Sequence, residues 1–323
     1  MTYTIDVHIS PDEVRRRMRA DAIAGLQADA KSIPPVWLYD ERGSQLFEEI
    51  TRLPEYYPTR SERRLLEAFA PAIAQLSKAD TLVELGAGSC EKTRVLLRAL
   101  QQLGTLSTYV PFDISDEFLR DAASTLTEEY DPLTVHLVIG DFSEHLAEIP
   151  TGGRRLVAFL GGTIGNLDPA RRARFLFDLN CTMSSDDSFL LGADLVKERQ
   201  RLVAAYDDAA GVTARFNKNV LHVLNEQLGG NFDPDLFAHV ALWNDEEQWI
   251  EMRLRALGPS EVTLREAGIA VRFDQGDDIL TEISAKFTPD MIEKELGAAG
   301  FVIDGMWGAD EGEFLLTLAH PFC

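Results

Sequence analysis

Between residues 81 and 193 one pattern recurs: a short apolar run, then a stretch with helical spacing. The apolar runs are 81–85, 108–112, 135–139, 156–160 and 189–193. Parallel strands can only be joined by long crossovers, usually helices, so this alternation predicts an α/β fold with a parallel sheet covered on both faces. Ser115 is placed to cap the helical run containing Leu119 and Leu126. Asp168-Pro169 opens the run containing Phe175 and Leu176, as a cap followed by proline at the first helical position should.

The flanking segments read differently. Ser10, Pro11 and Glu13 form a helix-start signature, and Val14, Met18, Ala22 and Leu26 then mark one apolar face. Residues 32–58 interrupt that pattern with aromatics and prolines. Thr59-x-x-Glu62 resembles another capping box, opening a helix to about residue 76. After Asp194, residues 197–230 look helical. Ile250, Met252, Leu254 and Ala256 then alternate with polar residues, as do Ile269, Val271 and Phe273. In 279–286, Glu282, Ser284 and Lys286 share one face and Ile279, Thr281, Ile283 and Ala285 the other, completing an antiparallel meander. A helix (289–299) and two strands (301–306, 314–318) close the chain. The economical division is one domain of 59–196 and 287–323, and a second of 1–58 and 197–286. A cleft between two such parts is a usual place for a small-molecule site.

The length, 323 residues, suits two domains at ~100–200 residues each. With 31 Lys+Arg against 53 Asp+Glu the net charge is −22, which repels phosphate backbones and argues against nucleic-acid or anionic-membrane partners. No segment reaches the ~18 uninterrupted apolar residues of a membrane span, and the first residues lack the apolar core of a secretory signal. Cys90, Cys181 and Cys323 are odd in number and widely separated, so they read as reduced thiols of a cytoplasmic protein. The six histidines show no metal-ligand spacing, so no metal is expected.

The first strand runs into Gly86-Ala87-Gly88, and a helix with Val95, Leu96, Ala99 and Leu100 on its apolar face follows. Glycines there let backbone N–H groups approach a ligand. A dinucleotide would want a third glycine near position 91; Glu91 stands there and would repel a pyrophosphate. NAD is therefore demoted. S-adenosylmethionine has a cationic sulfonium and no phosphate, and Glu84 and nearby acids suit it. Asp113 closes the second strand, where a carboxylate can accept both ribose hydroxyls. Asp141-Phe142 closes the third; the Asp can accept from an adenine amino group and the Phe can flank the ring. Each Asp could instead cap the next helix. The final helix–strand–strand unit resembles the reversed last hairpin of class I methyltransferases.

A second set of motifs points the same way. The stretch Tyr39-Asp40-Glu41-Arg42-Gly43-Ser44-x-Leu46-Phe47-x-x-Ile50-x-x-Leu53-Pro54-Glu55-Tyr56-Tyr57-Pro58-Thr59-Arg60 is long and specific. So are Glu84-Leu85-Gly86-Ala87-Gly88-Ser89 with Lys92-Thr93, Phe159-Leu160-Gly161-Gly162-Thr163-Ile164-Gly165-Asn166, and Glu282-Ile283-Ser284. Together they resemble the histidine-specific N-alpha-methyltransferase family of ergothioneine biosynthesis, over nearly the whole chain. The resemblance implies a Rossmann-like class I methyltransferase domain with a second, discontinuous α+β substrate-binding domain. It implies three successive methyl transfers from S-adenosylmethionine to the α-amino nitrogen of L-histidine, through mono- and dimethylated forms, to hercynine. On this resemblance Gly86, Lys92, Asp113, Asp141 and Phe142 bind S-adenosylmethionine. Tyr56, Asn166, Tyr206, Glu282 and Ser284 bind histidine, with Ile283 between the last two. Phe47 and Met252 line the pocket, and Tyr39 and Gly161 stand nearest the chemistry. A monomer is expected.

Elementary chemistry is compatible with these roles. Glu282 and Ser284 lie two apart on a strand and can grip an imidazole; an ionised Glu282 would favour its protonated form. An exposed Glu–Ser face on an edge strand is the plain alternative, as core packing is for Met252 and a turn position for Asn166. Asn166 and Tyr206 offer donors to the substrate carboxylate. The amine must lose a proton before each transfer, and a route through water near Tyr39 and the Gly161 carbonyl is expected, since a phenol of pKa ~10 is a poor base. Two other functions are open: a non-catalytic S-adenosylmethionine-binding regulator, and a methyltransferase for another amino acid.

Overall fold

The structure is a computed structural model that describes residues 3–322 apart from 89, 91, 115–118, 121–124, 128, 131 and 309–311. The expected cap at Ser115, and the side chains of Ser89, Glu91 and Cys323, lie outside the described residues. In chain order the strands are β1 (Thr4–Val7), β2 (Lys31–Ser32), β3 (Thr81–Leu85), β4 (Thr108–Asp113), β5 (Thr134–Ile139), β6 (Arg155–Phe159), β7 (Ser188–Asp194), β8 (Phe237–Asn244), β9 (Trp249–Ala256), β10 (Ser260–Leu264), β11 (Ile269–Phe273), β12 (Asp278–Ala285), β13 (Phe301–Gly308) and β14 (Phe314–Pro321). The chain divides into two compact units. One comprises Met1–Ile9, Pro58–Val196 and Phe287–Cys323, the other Ser10–Tyr57 and Lys197–Lys286.

The first unit is built on a sheet of order β1-β5-β4-β3-β6-β7-β14-β13. β1 to β7 in that order are parallel, and β14 and β13 reverse direction. Every residue of β3, β6 and β7 is buried, as strands covered on both faces must be. The chain leaves β3 toward β4 and β5, then returns to lay β6 and β7 on the other side. The order therefore switches between β3 and β6, and ligands of doubly wound sheets bind outside the carboxyl ends of the strands at such a point. The helix Thr93–Leu103 buries Leu96, Leu97, Ala99 and Leu100 and stops at Gly104, whose φ of +80° makes a left-handed C-terminal cap. Asp168 accepts from the N–H groups of Ala170 and Arg171 and opens Pro169–Thr182.

β1 departs from the expected division, which put all of residues 1–58 in the second domain. It pairs in parallel with β5, so the first residues join the first unit. β1 is a mostly exposed edge strand, held by backbone hydrogen bonds that leave no hydrophobic pattern in the sequence.

The second unit carries a sheet of order β2-β12-β9-β8 and a separate hairpin, β10-β11. The meander is thus interrupted: among the described residues β11 pairs with β10 alone, and β12 returns to β9. The region expected to be helical is two helices, Arg199–Tyr206 and Val212–Leu228. The Asp208 carboxylate caps the second by accepting from the N–H groups of Val212 and Thr213. A helix at Glu41–Thr51 lies within the aromatic, proline-rich segment, with Asp40 accepting from the Gly43 N–H as its cap. Ser10 caps Pro11–Leu26 as expected, accepting from the Glu13 N–H.

Candidate active site

At the carboxyl end of β3 the chain turns through Gly86 (φ +71°) and Gly88 (φ +51°), backbone conformations that a side chain would strain. The Gly86 and Ala87 N–H groups donate to the Phe112 carbonyl, and the Gly88 N–H donates to Asp113 Oδ2 at 3.0 Å. Asp113, the last residue of β4, is thereby fixed against the turn. A Cβ on Gly88 would meet nothing within 4 Å, whereas one on Gly86 would lie 3.8 Å from the Phe142 ring. Phe142 is set edge-on against Phe159 and Phe175, at 5.3 and 5.9 Å between ring centres. Asp141 is buried, and its Oδ1 accepts from the N–H and hydroxyl of Ser143. It thus holds a turn just beyond β5 rather than a helix start; the next short helix, Leu146–Glu148, begins after His145.

Gly161 follows β6, the strand beside β3. Its N–H donates to Glu62 Oε1 at 2.6 Å, and Lys92 Nζ donates to Glu62 Oε2 at 2.6 Å. One buried carboxylate thus holds both expected site residues. Glu62 corrects the reading of Thr59-x-x-Glu62 as a capping box. The helix starts at Tyr57, so Thr59 is already inside it and Glu62 points into the core. Asn166 ends a short 3-10 turn, Thr163–Asn166, and its amide makes no side-chain hydrogen bond among the described residues. Glu84 is also corrected. It is buried, its Oε2 accepts from the hydroxyls of Thr93 and Tyr109, and burial pushes its carboxyl up to about 7. It is not the charged, accessible acid expected to face a sulfonium.

In the second unit, β12 lies between β2 and β9, with β2 reaching Ile279 and Leu280; burial of Glu282 and Ser284, rather than a central place in the sheet, rules out an exposed Glu–Ser face. A β-bulge at Thr281 separates the Leu280–Arg253 pair from the Glu282–Met252 pair. The extra residue reverses which positions face inward: Ile279 and Thr281 are buried before it, and Glu282, Ser284 and Lys286 after it. Asn217 and the Met252 carbonyl receive the Thr281 hydroxyl and hold the bulge. Met252 stands opposite Glu282 on the neighbouring strand. Ile283 alternates to the other face, opposite Glu251, so its side chain does not join the pair it separates.

Glu282 Oε2 is buried without a hydrogen-bond partner among the described residues. Burial raises the carboxyl to about 7, against the opposing pull of the Lys286 charge. Tyr206 Oη and Ser284 Oγ are 2.7 Å apart, and the buried Lys286 Nζ donates to both, at 2.8 and 2.9 Å. Tyr206 continues into a chain of aromatic contacts. Its ring centre is 6.1 Å from that of Tyr56, which is 6.1 Å from Phe47, which is 5.5 Å from Tyr39. Phe216 touches both Phe47 and Tyr39. His239, whose pKa burial lowers, supports Tyr206 by donating from Nε2 to its carbonyl.

The structure therefore gathers Gly86, Phe142 and Asp113, with Asp141 at the adjacent strand end, around the turn, and Lys92 and Gly161 around Glu62. It gathers Tyr39, Phe47, Tyr56, Tyr206 and Ser284 in one contact chain, beside Glu282 and Met252. The first group suits S-adenosylmethionine: two strand-end carboxylates for hydroxyl and amino donors, an aromatic flank, and open space over the second glycine. Among the described residues no group of three or more His, Cys, Asp or Glu side chains could hold a metal ion. Sequence reasoning missed Glu62, Phe216 and Lys286. Only Lys286 left a signal, sharing its strand face with Glu282 and Ser284.

Residues 18–321 match the family described as histidine-specific methyltransferase, SAM-dependent. The chain is 50% identical to the histidine N-alpha-methyltransferase of Mycobacterium tuberculosis over 319 residues, 99% of each chain. It is 49% identical to that of Mycolicibacterium smegmatis over the same extent. Among solved structures, the CcbJ methyltransferase of Streptomyces caelestis aligns with 88% of this chain and 100% of its own, at 15% identity and a TM-score of 0.50, a likeness of fold alone. The strand order, the glycine turn and these matches agree: the chain belongs to the S-adenosylmethionine-dependent, histidine-specific methyltransferases.

Proposed function

We propose that the protein transfers three methyl groups in succession from S-adenosylmethionine to the α-amino nitrogen of L-histidine, giving hercynine for ergothioneine biosynthesis. The observation that carries the substrate is Glu282 Oε2, a buried acceptor with no donor among the described residues, two residues from a hydroxyl on the same strand face. An unpaired buried acceptor costs roughly 1–3 kcal/mol, and an imidazole N–H is a donor that relieves it.

Gly86, Lys92, Asp113, Asp141 and Phe142 hold S-adenosylmethionine, which supplies an electrophilic methyl on a sulfur that departs as a neutral thioether without an acid. Glu282 and Ser284 hold the imidazole, and Asn166, Tyr206 and Tyr56 hold the amino-acid end, with Tyr206 and Asn166 donating to the carboxylate. Phe47, Met252 and the Ile283 backbone complete the walls. The attacking group is the neutral amine, so the residues around it must orient it and let its protons leave. Glu62 occupies the Gly161 N–H and leaves the Gly161 carbonyl to accept from the amine. The Tyr39 hydroxyl hydrogen-bonds the amine directly or through water, and water carries the proton away. Orientation and exclusion of water can supply ~7–11 kcal/mol of the barrier in favourable cases, so no strong base is required. After the third transfer the nitrogen has neither a proton nor a lone pair, and the sequence ends.

We propose that the reaction runs in the cytoplasm, with the protein a monomer acting on small molecules rather than on nucleic acid or membranes. The net charge of −22 supports the exclusion of polyanions. Among the described residues no helix is long and apolar enough to cross a membrane. The test is mass spectrometry of histidine incubated with the protein and S-adenosylmethionine. The expected product has gained three methyl groups, all on the α-nitrogen. Binding of both ligands without any methylated product, or methylation only of another amino acid, would overturn the proposal.

A further inference from the structure

We infer that Glu62 is a positioning residue for S-adenosylmethionine: it holds the Lys92 ammonium where the carboxylate of the methionyl end arrives, and so sets how tightly that end is gripped. The inference rests on the reading of Lys92 as a ligand of S-adenosylmethionine and deepens it, adding a buried residue that acts through Lys92.

The strand order places the methionyl end. Neighbouring strands run β5, β4, β3, β6, and the ligand lies outside their carboxyl ends. With adenine at Asp141 and Phe142, beyond β5, and ribose at Asp113, which ends β4, the rest of the molecule crosses the ends of β3 and β6. Lys92 follows the turn after β3, and Gly161 follows β6. Lys92 Nζ donates to Glu62 Oε2 at 2.6 Å, and the Gly161 N–H donates to Glu62 Oε1 at 2.6 Å. The Glu62 side chain is wholly buried, whereas that of Lys92 keeps 27% of its surface, so the pair opens outward through the ammonium. An ammonium has three donors. One goes to Glu62, and the others have no acceptor among the described residues. A ligand carboxylate can take them in charge-assisted hydrogen bonds.

Two glycines make room for the pair. A Cβ on Gly192, in β7, would run into Glu62 Oε1, and one on Gly161 (φ +79°) would lie 3.3 Å from Lys92 Nζ. Carboxylate and ammonium thus fill space that side chains would otherwise take. As a fastening of the helix Tyr57–Ser77 to the sheet, the pair is a poor choice. Burying a carboxylate is costly, and apolar side chains of similar volume hold two elements together as well or better. As a positioning device it has a clear use. A lysine is a compact charge on a flexible four-carbon stem. Tied to Glu62 it waits in one place, and the ligand need not order it on binding. Glu62 stays behind it, with each oxygen already accepting from a protein donor.

The test is calorimetric titration of the full-length protein with two compounds. S-adenosylhomocysteine has the amino-acid end; 5′-methylthioadenosine has the same nucleoside and a thioether but lacks that end. In Glu62→Gln the amide oxygen accepts from Lys92 or from Gly161 but its NH2 faces the other donor. Affinity for S-adenosylhomocysteine should fall about 10- to 100-fold, the scale of lost charge-assisted hydrogen bonds, while that for 5′-methylthioadenosine changes by less than about twofold. Gly192→Ala keeps every charge and displaces the carboxylate. It should shift the two affinities in the same unequal way, and it decides alone should E62Q fail to fold. In a Lys92→Met background, E62Q should lower S-adenosylhomocysteine affinity by less than about threefold further, as for residues that act through one another. Equal losses of both compounds, or an unchanged S-adenosylhomocysteine affinity, would overturn the inference and leave Glu62 a fastening. A full further loss in the Lys92→Met background would overturn it as well. Wild-type protein that binds the two compounds equally tightly would overturn the reading of Lys92, and this inference with it.

Discussion

Around the glycine turn, the protein's own groups hold the polar side chains. Asp113 is fixed by the Gly88 N–H, Asp141 by Ser143, and Glu62 joins Gly161 to Lys92. On β12 the arrangement is different: Tyr206, Ser284 and Lys286 hold one another, but Glu282 Oε2 is buried with no partner among the described residues. The first region presents a preformed cradle, tolerable to the free protein because each anchor has a partner. The second carries a cost that the proposed histidine ring would relieve. A donor shared by many methyltransferases needs only the former; choosing one amino acid among twenty calls for the latter, because unpaired buried groups discriminate more strongly than apolar fit.

The largest effect that separates the two regions is on stability against pH. Burial raises Glu282 from 4.5 to about 7, so the folded chain binds a proton more tightly than the unfolded chain. Stability is then full below the unfolded value and is lost as pH rises through the folded value, by about 3 kcal/mol for such a group. Glu84 should contribute a loss of the same sign and scale. Urea unfolding between about pH 5 and 8 should therefore show falling stability in the wild type, and Glu282→Gln should abolish about half of that fall. An unchanged slope in the variant would mean that Glu282 is already ionised and paired, which would erase the contrast.

On the cradle side, Asp113→Ala should weaken S-adenosylmethionine binding by roughly 10- to 100-fold, the scale of one or two lost hydrogen bonds to a charged group. Histidine binding measured by calorimetry should change much less. Comparable losses of both ligands would indicate a folding defect rather than a binding role. The smallest effect should come from Tyr39→Phe. The ring still packs on Phe47 and Phe216, and only the hydroxyl is removed. Each methyl transfer should slow by up to about tenfold, within the range of assisted proton movement. If all three transfer rates are unchanged in single-turnover measurements, Tyr39 has no part in the proton route.

How much was legible in the sequence follows the same division. Gly86, Asp113, Asp141 and Phe142 sit where strands end, and strand ends are visible as breaks in an apolar rhythm. The alternation of strands and helices likewise gave the sheet. The β12 pocket was legible only in part. Period-two spacing put Glu282, Ser284 and Lys286 on one face, but not which face was buried, because the bulge at Thr281 depends on pairing with β9. Glu62 was masked by a local signature: Thr59-x-x-Glu62 reads as a cap, while its actual partners are 30 and 99 residues away. β1 and β2 were missed because edge strands of four and two residues are held by backbone bonds with little burial.

The most direct measurement is calorimetric titration of both ligands into Glu282→Ala. If Glu282 is the acceptor that selects histidine, the variant should lose about 100-fold or more in histidine affinity and keep S-adenosylmethionine affinity within about threefold. Equal losses for the two ligands, or histidine bound as tightly as by the wild type, would contradict the assignment of that carboxylate to the substrate.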